Sequence, residues 1–219
     1  MKTVLSTKKL SEKNKIRLED AGFLIMERSF IKIRPKHFQL DKCYDLLLFT
    51  SKNAVKSVLK NKKKLSVIKG RECLCVGKQT RKFLKKKGFK VLAQAENARE
   101  LGKLIVKDYN NRSFTFFSGS LRRNELPQLL AEHKIVFNEI EVYETVLKSY
   151  TINVKTDAIL FFSPSGVQSF LKENQLEEQD CFCIGETTAK ALEDKTENCI
   201  VAPQPSVEAV IETVIKYYK

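Results

Sequence analysis

Four short turns in this sequence carry residue types that hold anions. Thr50-Ser51-Lys52-Asn53 and Ser163-Pro164-Ser165-Gly166 each follow an apolar run, "YDLLLF" and "DAILFF", and each leads into a stretch with helical spacing. Gly77 with Thr80, and Gly185 with Thr187 and Thr188, place a glycine at the end of an apolar run and hydroxyls at the start of the next helix. A helix start presents backbone N–H groups that lack intrahelical acceptors and a partial positive charge, so small hydroxylated side chains there can cap the helix or help hold an anion. Residue type alone leaves both uses open. Lys8, Arg122 and Arg123 follow other apolar runs and would add full charges, a set suited to a ligand with several carboxylates.

Conventional catalytic sets are missing. The two histidines, His37 and His133, are isolated, and "FFSPSG" lacks the G-x-S-x-G form of a nucleophile elbow, which argues against a Ser-His-Asp hydrolase. Neither a P-loop nor G-x-G-x-x-G occurs. Six cysteines include Cys73 with Cys75 and Cys181 with Cys183, both spaced Cys-x-Cys. In a strand, positions two apart share a face and a free cysteine packs as a small apolar residue, whereas a zinc site more usually shows Cys-x-x-Cys turns with two further ligands. Neither a metal nor a cofactor is expected.

The formal net charge of +14 over 219 residues calls for an anionic partner such as nucleic acid, a membrane surface or a polycarboxylate or phosphate ligand. Its distribution is uneven: residues 1–36 carry +6, residues 37–142 carry +13 and residues 143–219 carry −5. Hydrophobic content of 42% and charged content of 30% are those of a soluble globular chain, and no apolar stretch approaches the roughly 20 residues of a membrane span. The basic start MKTVLSTKKLSEKNK has too brief an apolar run for a signal peptide, so a cytoplasmic protein is expected.

Short apolar runs alternate with helical stretches, the sequence form of repeated βα units on a parallel sheet. Strands are predicted at "TVLS", "YDLLLFTS", "ECLCVG", "KVLA", "SFTFFSG", "DAILFFS", "CFCIG" and "CIVA". Helices are predicted at 10–21, from Asn53, over "KQTRKFLKKKG", at 97–109 and 122–133, from Ser165, over "TTAKALED" and at the end of the chain. Two long β-rich runs, 23–34 and 135–147, are candidate crossings between lobes. Three blocks recur in one order: "FTSKNAVKSVL" with "FFSPSGVQSFL", "CVGKQTRKFLKKKG" with "CIGETTAKALEDKT", and "VLAQAENARELGKLI" more loosely with "IVAPQPSVEAVIETVI". That pattern implies an internal duplication: an α/β protein of two doubly wound parallel-sheet lobes of the flavodoxin or Rossmann kind. Ligands on such sheets sit at the carboxyl ends of the strands, so two lobes facing each other would line one cleft with four helix starts.

The ordered series "YDLLLFTSKNAV", "CVGKQT", "FFSGSLRRNELPQLL", "VYETV", "ILFFSPSGVQSF" and "CIGETTAKAL" resembles the uroporphyrinogen-III synthase family over nearly the whole chain. The resemblance implies one lobe from both chain ends (1–35 plus 146–219), one from the middle (38–142), and a two-stranded linker near 35–38 and 142–146. It implies a hydro-lyase that cyclises hydroxymethylbilane, a linear tetrapyrrole with eight carboxylates, to uroporphyrinogen III with loss of water and inversion of ring D. No metal or cofactor takes part in that chemistry.

By the same resemblance Tyr143, in "VYETV", stands where the family has its linker tyrosine, the candidate to hydrogen-bond or protonate the departing hydroxyl. A phenol carries its proton at neutral pH and can donate it. Thr80, Ser163, Ser165, Thr187 and Thr188 match substrate-facing turns, and Lys8 stands where many members have Arg or Lys after the first strand. Ser51, Asn53, Gly166 and Arg122 complete the expected substrate set, although "FFSGSLRR" departs from the Pro-Arg-Gly form of many members. The expected partner is this small molecule, for a monomer with no nucleic-acid or membrane ligand and a passing contact with the enzyme that delivers the unstable substrate. A non-catalytic, two-lobed protein that binds a polyanion such as nucleic acid is the alternative.

Overall fold

In the computed structural model, which describes residues 1–219, the alternation of apolar strands and helices resolves into two compact units. One takes Met1–Lys32 and Val146–Lys219, the other Ile33–Thr145. The first unit contains β1 (Lys2–Ser6), α1 (Glu12–Glu19) and β2 (Phe23–Glu27). β3 (Ile31–Pro35) then leads into the second unit. There follow β4 (Leu46–Phe49), α2 (Lys52–Lys60), a 3-10 turn at Lys62–Lys64, α3 (Leu65–Ile68), β5 (Glu72–Val76), α4 (Lys78–Lys86), β6 (Lys90–Ala95), α5 (Ala98–Asp108), β7 (Phe114–Gly119) and α6 (Glu125–Glu132). β8 (Phe137–Leu147) carries the chain back to β9 (Ala158–Phe161), α7 (Pro164–Phe170), β10 (Asp180–Cys183), α8 (Glu186–Ala189), a 3-10 turn at Lys190–Leu192, β11 (Cys199–Val201) and α9 (Val207–Tyr218).

The two sheets share one arrangement of five parallel strands, which the chain threads in a different order in each. Unit one orders its strands β11-β10-β9-β1-β2, all parallel, and unit two orders β6-β5-β4-β7-β8, also parallel, with β3 added beyond β8. The sequence repeats match β4 to β9, β5 to β10 and β6 to β11. The sheet order extends this match: β1 and β2 fill in unit one the places that β7 and β8 fill in unit two.

Both copies of the repeated phrase begin on a central strand, and this explains their unbroken apolar runs. Central strands of a parallel sheet are covered on both faces, so every position must be apolar. Leu47 and Phe49 of β4 pack into one cluster with Val55, Val58 and Leu84, while Leu46 and Leu48 pack with Leu101, Ile105 and Leu126 on the other face. In β9, Ala158 and Leu160 face Val210 and Val214, and Ile159 and Phe161 face Val167 and Phe170. The Cys-x-Cys pairs follow the same alternation. Cys73 and Cys75 lie in one cluster, Cys181 and Cys183 in another, and burial pushes the Cys73 and Cys181 thiols up to about 12. At neutral pH these are packed thiols rather than nucleophiles.

The run 23–34, read as one strand region, is two strands in two sheets. β2 ends at Glu27, whose carboxylate accepts the Leu10 N–H at 2.5 Å and pairs with Lys15 at 2.9 Å. Phe30 then turns fully into the core of unit one, donating its N–H to the Thr7 carbonyl, before β3 joins the other sheet. An aromatic ring that must fill one core cannot also continue a regular strand into another.

Unit one is assembled from segments far apart in sequence, and a carboxylate ties them. Asp157, just before β9, accepts the Thr3 N–H of β1 at 2.7 Å and returns its own N–H to the Thr3 carbonyl at 2.9 Å. The Thr3 N–H first, and Lys2 beside it, hold the Asp157 carboxyl below the ordinary carboxylate range. A depressed folded-state value means that the contribution is complete above the unfolded carboxyl range near 3.9 and is lost as pH falls through the folded value. Urea midpoints of the wild type are expected to fall between pH 5 and pH 3. Asp157→Asn, measured in the same series, should be less stable at pH 6 and show a shallower acid loss; a parallel acid loss would remove Asp157 as a contributor.

Candidate active site

In chain order the strands of unit one lie 2-1-3-4-5 and those of unit two, β3 aside, 3-2-1-4-5; each order reverses direction beside its central strand, and such a switch point opens a crevice at the carboxyl ends of the strands. In unit one the switch lies between β9 and β1, in unit two between β4 and β7. The expected site residues collect along these edges. In unit one, Lys8 follows β1, Ser163, Ser165 and Gly166 follow β9, and Thr187 and Thr188 follow β10. In unit two, Ser51 and Asn53 follow β4, Thr80 follows β5, Arg122 follows β7, and Tyr143 lies in the second half of β8.

The turn residues act as caps and keep donors to spare. Ser51 Oγ accepts the Asn53 N–H at 3.1 Å, and Ser163 Oγ accepts the Gly166 N–H at 3.1 Å while sharing a 3.0 Å hydrogen bond with Ser165 Oγ. A hydroxyl that accepts still has a proton to give, so Ser51 and one of the Ser163/Ser165 pair can donate to a carboxylate. Thr80 and Thr188 are both buried in the first turns of their helices, after the N-cap glycines Gly77 and Gly185. Thr187 and Lys8 are exposed, and the Lys8 ammonium stands 5.3 Å from the Phe162 ring centroid. Gly77 has φ +83°, which requires glycine at the start of α4. Gly166 is buried where a methyl group would meet Ser163 Oγ at 3.4 Å and Thr7 Oγ1 at 3.7 Å.

Capping and ligand holding can be separated at Ser163. Loss of an N-cap side chain costs about 1 kcal/mol, so Ser163→Ala should lower the urea-derived stability by about that amount. If the hydroxyl pair also meets a carboxylate, KM should rise several-fold with kcat nearly constant. A change in stability alone would make Ser163 a cap only.

Arg122 is not a free cation. Its guanidinium clasps Glu139 with two bonds, Nε to Oε1 at 2.5 Å and Nη2 to Oε2 at 2.8 Å, and also donates to Asn124 at 2.9 Å. The Glu139 carboxylate raises the Arg122 pKa above its usual value. Arg123 is exposed, with Glu125 at 3.8 Å. The uncompensated charge lies elsewhere. Residues 52–90 hold 15 Lys and Arg against a single carboxylate, Glu72, which accounts for the whole net charge of +14. This stretch contains the α2 and α4 starts, so two of the candidate turns lie in the most positive part of the chain.

Tyr143 is placed by an irregularity. β7 and β8 pair in register from Phe114 with Phe137 to Ser118 with Glu141, and then the register shifts so that Gly119 faces Tyr143. Strand alternation would send Val142 and Tyr143 to opposite faces. The shift lets both pack against one cluster, with Val142 fully buried and Tyr143 half-buried beside it. The Tyr143 ring lies across the end of β7 over Gly119, and its hydroxyl makes no hydrogen bond inside the protein. Sequence reading reached Tyr143 through resemblance. It passed over Gly119 and Ser120, whose only signal was a glycine followed by a serine at a strand end.

These edges have counterparts among known proteins. The family model described as "Uroporphyrinogen-III synthase HemD" matches residues 11–212. The chain belongs to the uroporphyrinogen-III synthase family. Membership makes it a cyclising lyase of porphyrin biosynthesis, and the comparisons lend no support to the nucleic-acid-binding alternative. A uroporphyrinogen-III synthase from Chlorobaculum parvum is 27% identical over 197 residues, covering 78% of this chain and 79% of its relative. The crystal structure of the Helicobacter pylori synthetase superposes with a TM-score of 0.76 at 26% identity, over 99% of this chain and 100% of that one. A mutant of the Thermus thermophilus synthase shares the fold at a TM-score of 0.69 and 14% identity, over 100% of this chain and 98% of that one. No helix of this synthase-family chain is long and apolar enough to cross a membrane.

Proposed function

We propose that this chain converts hydroxymethylbilane to uroporphyrinogen III, with the helix starts on the carboxyl edge of each sheet binding carboxylates and Tyr143 assisting loss of water. The observation that carries the reading is family membership over residues 11–212 together with a duplicated set of hydroxyl-bearing turns on those edges. The substrate's eight carboxylates suit a chain whose uncompensated charge falls in residues 52–90, because a field of one sign raises the local concentration of an oppositely charged ligand.

The chemistry asks little of the protein beyond placement. The terminal hydroxyl leaves as water after receiving a proton or strong hydrogen bond, and the azafulvene that remains is attacked to give a spiro intermediate. In that intermediate one α-carbon of ring D is bonded to the methylenes of both the first ring and ring C. Its bond to the ring C methylene then breaks, leaving an azafulvene on ring C, and attack there by ring D's other α-carbon, with loss of that carbon's proton, completes the macrocycle with ring D reversed. The same precursor closes without an enzyme to the symmetrical isomer, so selectivity comes from holding one geometry in preference to an accessible competitor. Tyr143 suits the donor's part because its hydroxyl has no partner to leave. Lys8, Ser51, Asn53, Thr80, Ser163, Ser165, Gly166, Thr187 and Thr188 form the carboxylate-binding set in this reading. Arg122 joins it only by exchanging Glu139 for substrate. The chain acts as a monomer in the cytoplasm in this reading, and the instability of its substrate favours transient contact with the enzyme that supplies it.

Incubation with freshly made hydroxymethylbilane, followed by oxidation and chromatographic separation of the porphyrin isomers, tests the activity. The type III isomer should dominate; an isomer ratio equal to the enzyme-free control would remove the assignment.

A further inference from the structure

We infer that Gly119 and Ser120 form a positioning device for Tyr143: the glycine makes room for the ring and the serine fixes the backbone that follows it. The inference rests on the reading of Tyr143 as the proton donor. A methyl group built on Gly119 would fall within the Tyr143 ring, against Cζ, with Cε2 at 2.5 Å and Cε1 at 2.6 Å. No real Cβ tolerates those distances, so any side chain at 119 must displace the ring. The demand is steric rather than conformational. Gly119 does not occupy the positive-φ region, and the three atoms nearest the added methyl all belong to the Tyr143 ring.

Ser120 supplies the second half. Its N–H donates to the Tyr143 carbonyl at 3.0 Å, and its Oγ accepts the Thr145 N–H at 3.0 Å. The loop after β7 therefore grips β8 at the two peptide groups that flank Glu144, directly after the register shift at Ser118/Gly119. A shift of this kind re-aims a side chain and leaves the strand locally under-paired. Ser120 restores two of the bonds that the irregularity would otherwise leave to water. Ring placement and backbone placement are thus set by two consecutive residues on the neighbouring strand end.

The test is a double-mutant cycle with hydroxymethylbilane as substrate. Gly119→Ala should lower kcat by about 10- to 100-fold, the scale of a misplacement near 1 Å, with KM changed less than threefold. Introduced into Tyr143→Phe, the same substitution should lower kcat no further than about twofold, because no hydroxyl remains to misplace. Equal losses in both backgrounds would make Gly119 a general structural residue and overturn the inference, as would full turnover in Gly119→Ala. Full turnover in Tyr143→Phe alone would instead overturn the reading of Tyr143, which keeps the two failures apart. If Gly119→Ala is too unstable to assay, two measurements decide. The thermal midpoint of Gly119→Ala/Tyr143→Ala should exceed that of Gly119→Ala, since removing the ring relieves the clash; no recovery would contradict the inference. Ser120→Ala should lower kcat with KM nearly constant, and unchanged kcat would leave Ser120 without the role.

Discussion

Replacing Tyr143 by Phe is expected to slow uroporphyrinogen III formation by about 100-fold or more while leaving the fold intact. The size follows from the part assigned to the phenol: a positioned proton donor contributes roughly 10²- to 10⁴-fold. The intact fold follows from geometry. The Tyr143 ring packs against the cluster of Phe49, Phe117 and Val142, and Phe keeps that packing. The hydroxyl has no partner inside the protein, so its removal strands no donor or acceptor, and stability should stay within about 0.5 kcal/mol. Because spontaneous closure continues, the residual product should shift towards the symmetrical isomer. Unchanged kcat would remove Tyr143 from the mechanism, and a loss of stability matching the loss of activity would make its role structural.

Phe49→Ala is expected to cost about 3–5 kcal/mol of stability. Phe49 ends β4, is fully buried, stacks on Phe117 with centroids 5.3 Å apart and planes 22° apart, and meets the Phe89 ring edge-on at 5.8 Å. Neither partner can follow the missing ring, because Phe117 is held in the adjacent strand and Phe89 is held by its N–H bond to the Leu84 carbonyl. A cavity should therefore remain. The same cluster supports Tyr143, and the Thr50-Ser51 turn begins at the next residue, so the loss should reach the candidate edge as well as the core. Urea titration gives the magnitude, and amide hydrogen exchange should place the loosening within Ile33–Thr145 rather than in the other unit. Phe49→Leu, which keeps much of the volume, should cost under about 1.5 kcal/mol. A cost below about 1 kcal/mol for Phe49→Ala would show that the stacked rings collapse together.

What the sequence made legible were features written locally. Ser51 and Ser163 stand at helix starts because an N-cap position favours small polar residues, and "LLLF" and "AILF" are apolar throughout because both faces of a central strand are covered. Repetition of these local signals exposed three of the five equivalent strands in each sheet. The other two, β7 with β1 and β8 with β2, share sheet position without a shared phrase, so only the strand order reveals them.

The features that escaped reading depend on partners distant along the chain. Arg122 looked like a free cation after an apolar run, but Glu139, 17 residues on, takes its guanidinium. The division of 23–34 depends on Phe30 entering a core built partly from Tyr150, Ile159 and Phe170. The shift that brings Tyr143 over Gly119 is a property of two paired strands, and the composition of neither strand records it.

The proposed activity requires this protein to compete with spontaneous ring closure by holding the last ring reversed. The most direct test is the fraction of type III isomer as enzyme concentration is raised against a fixed amount of hydroxymethylbilane, at a temperature where uncatalysed closure is appreciable. The fraction should climb with enzyme concentration towards unity, with Tyr143→Phe requiring about 100-fold more protein to reach the same value. A fraction that stays at the spontaneous value at every enzyme concentration would contradict it.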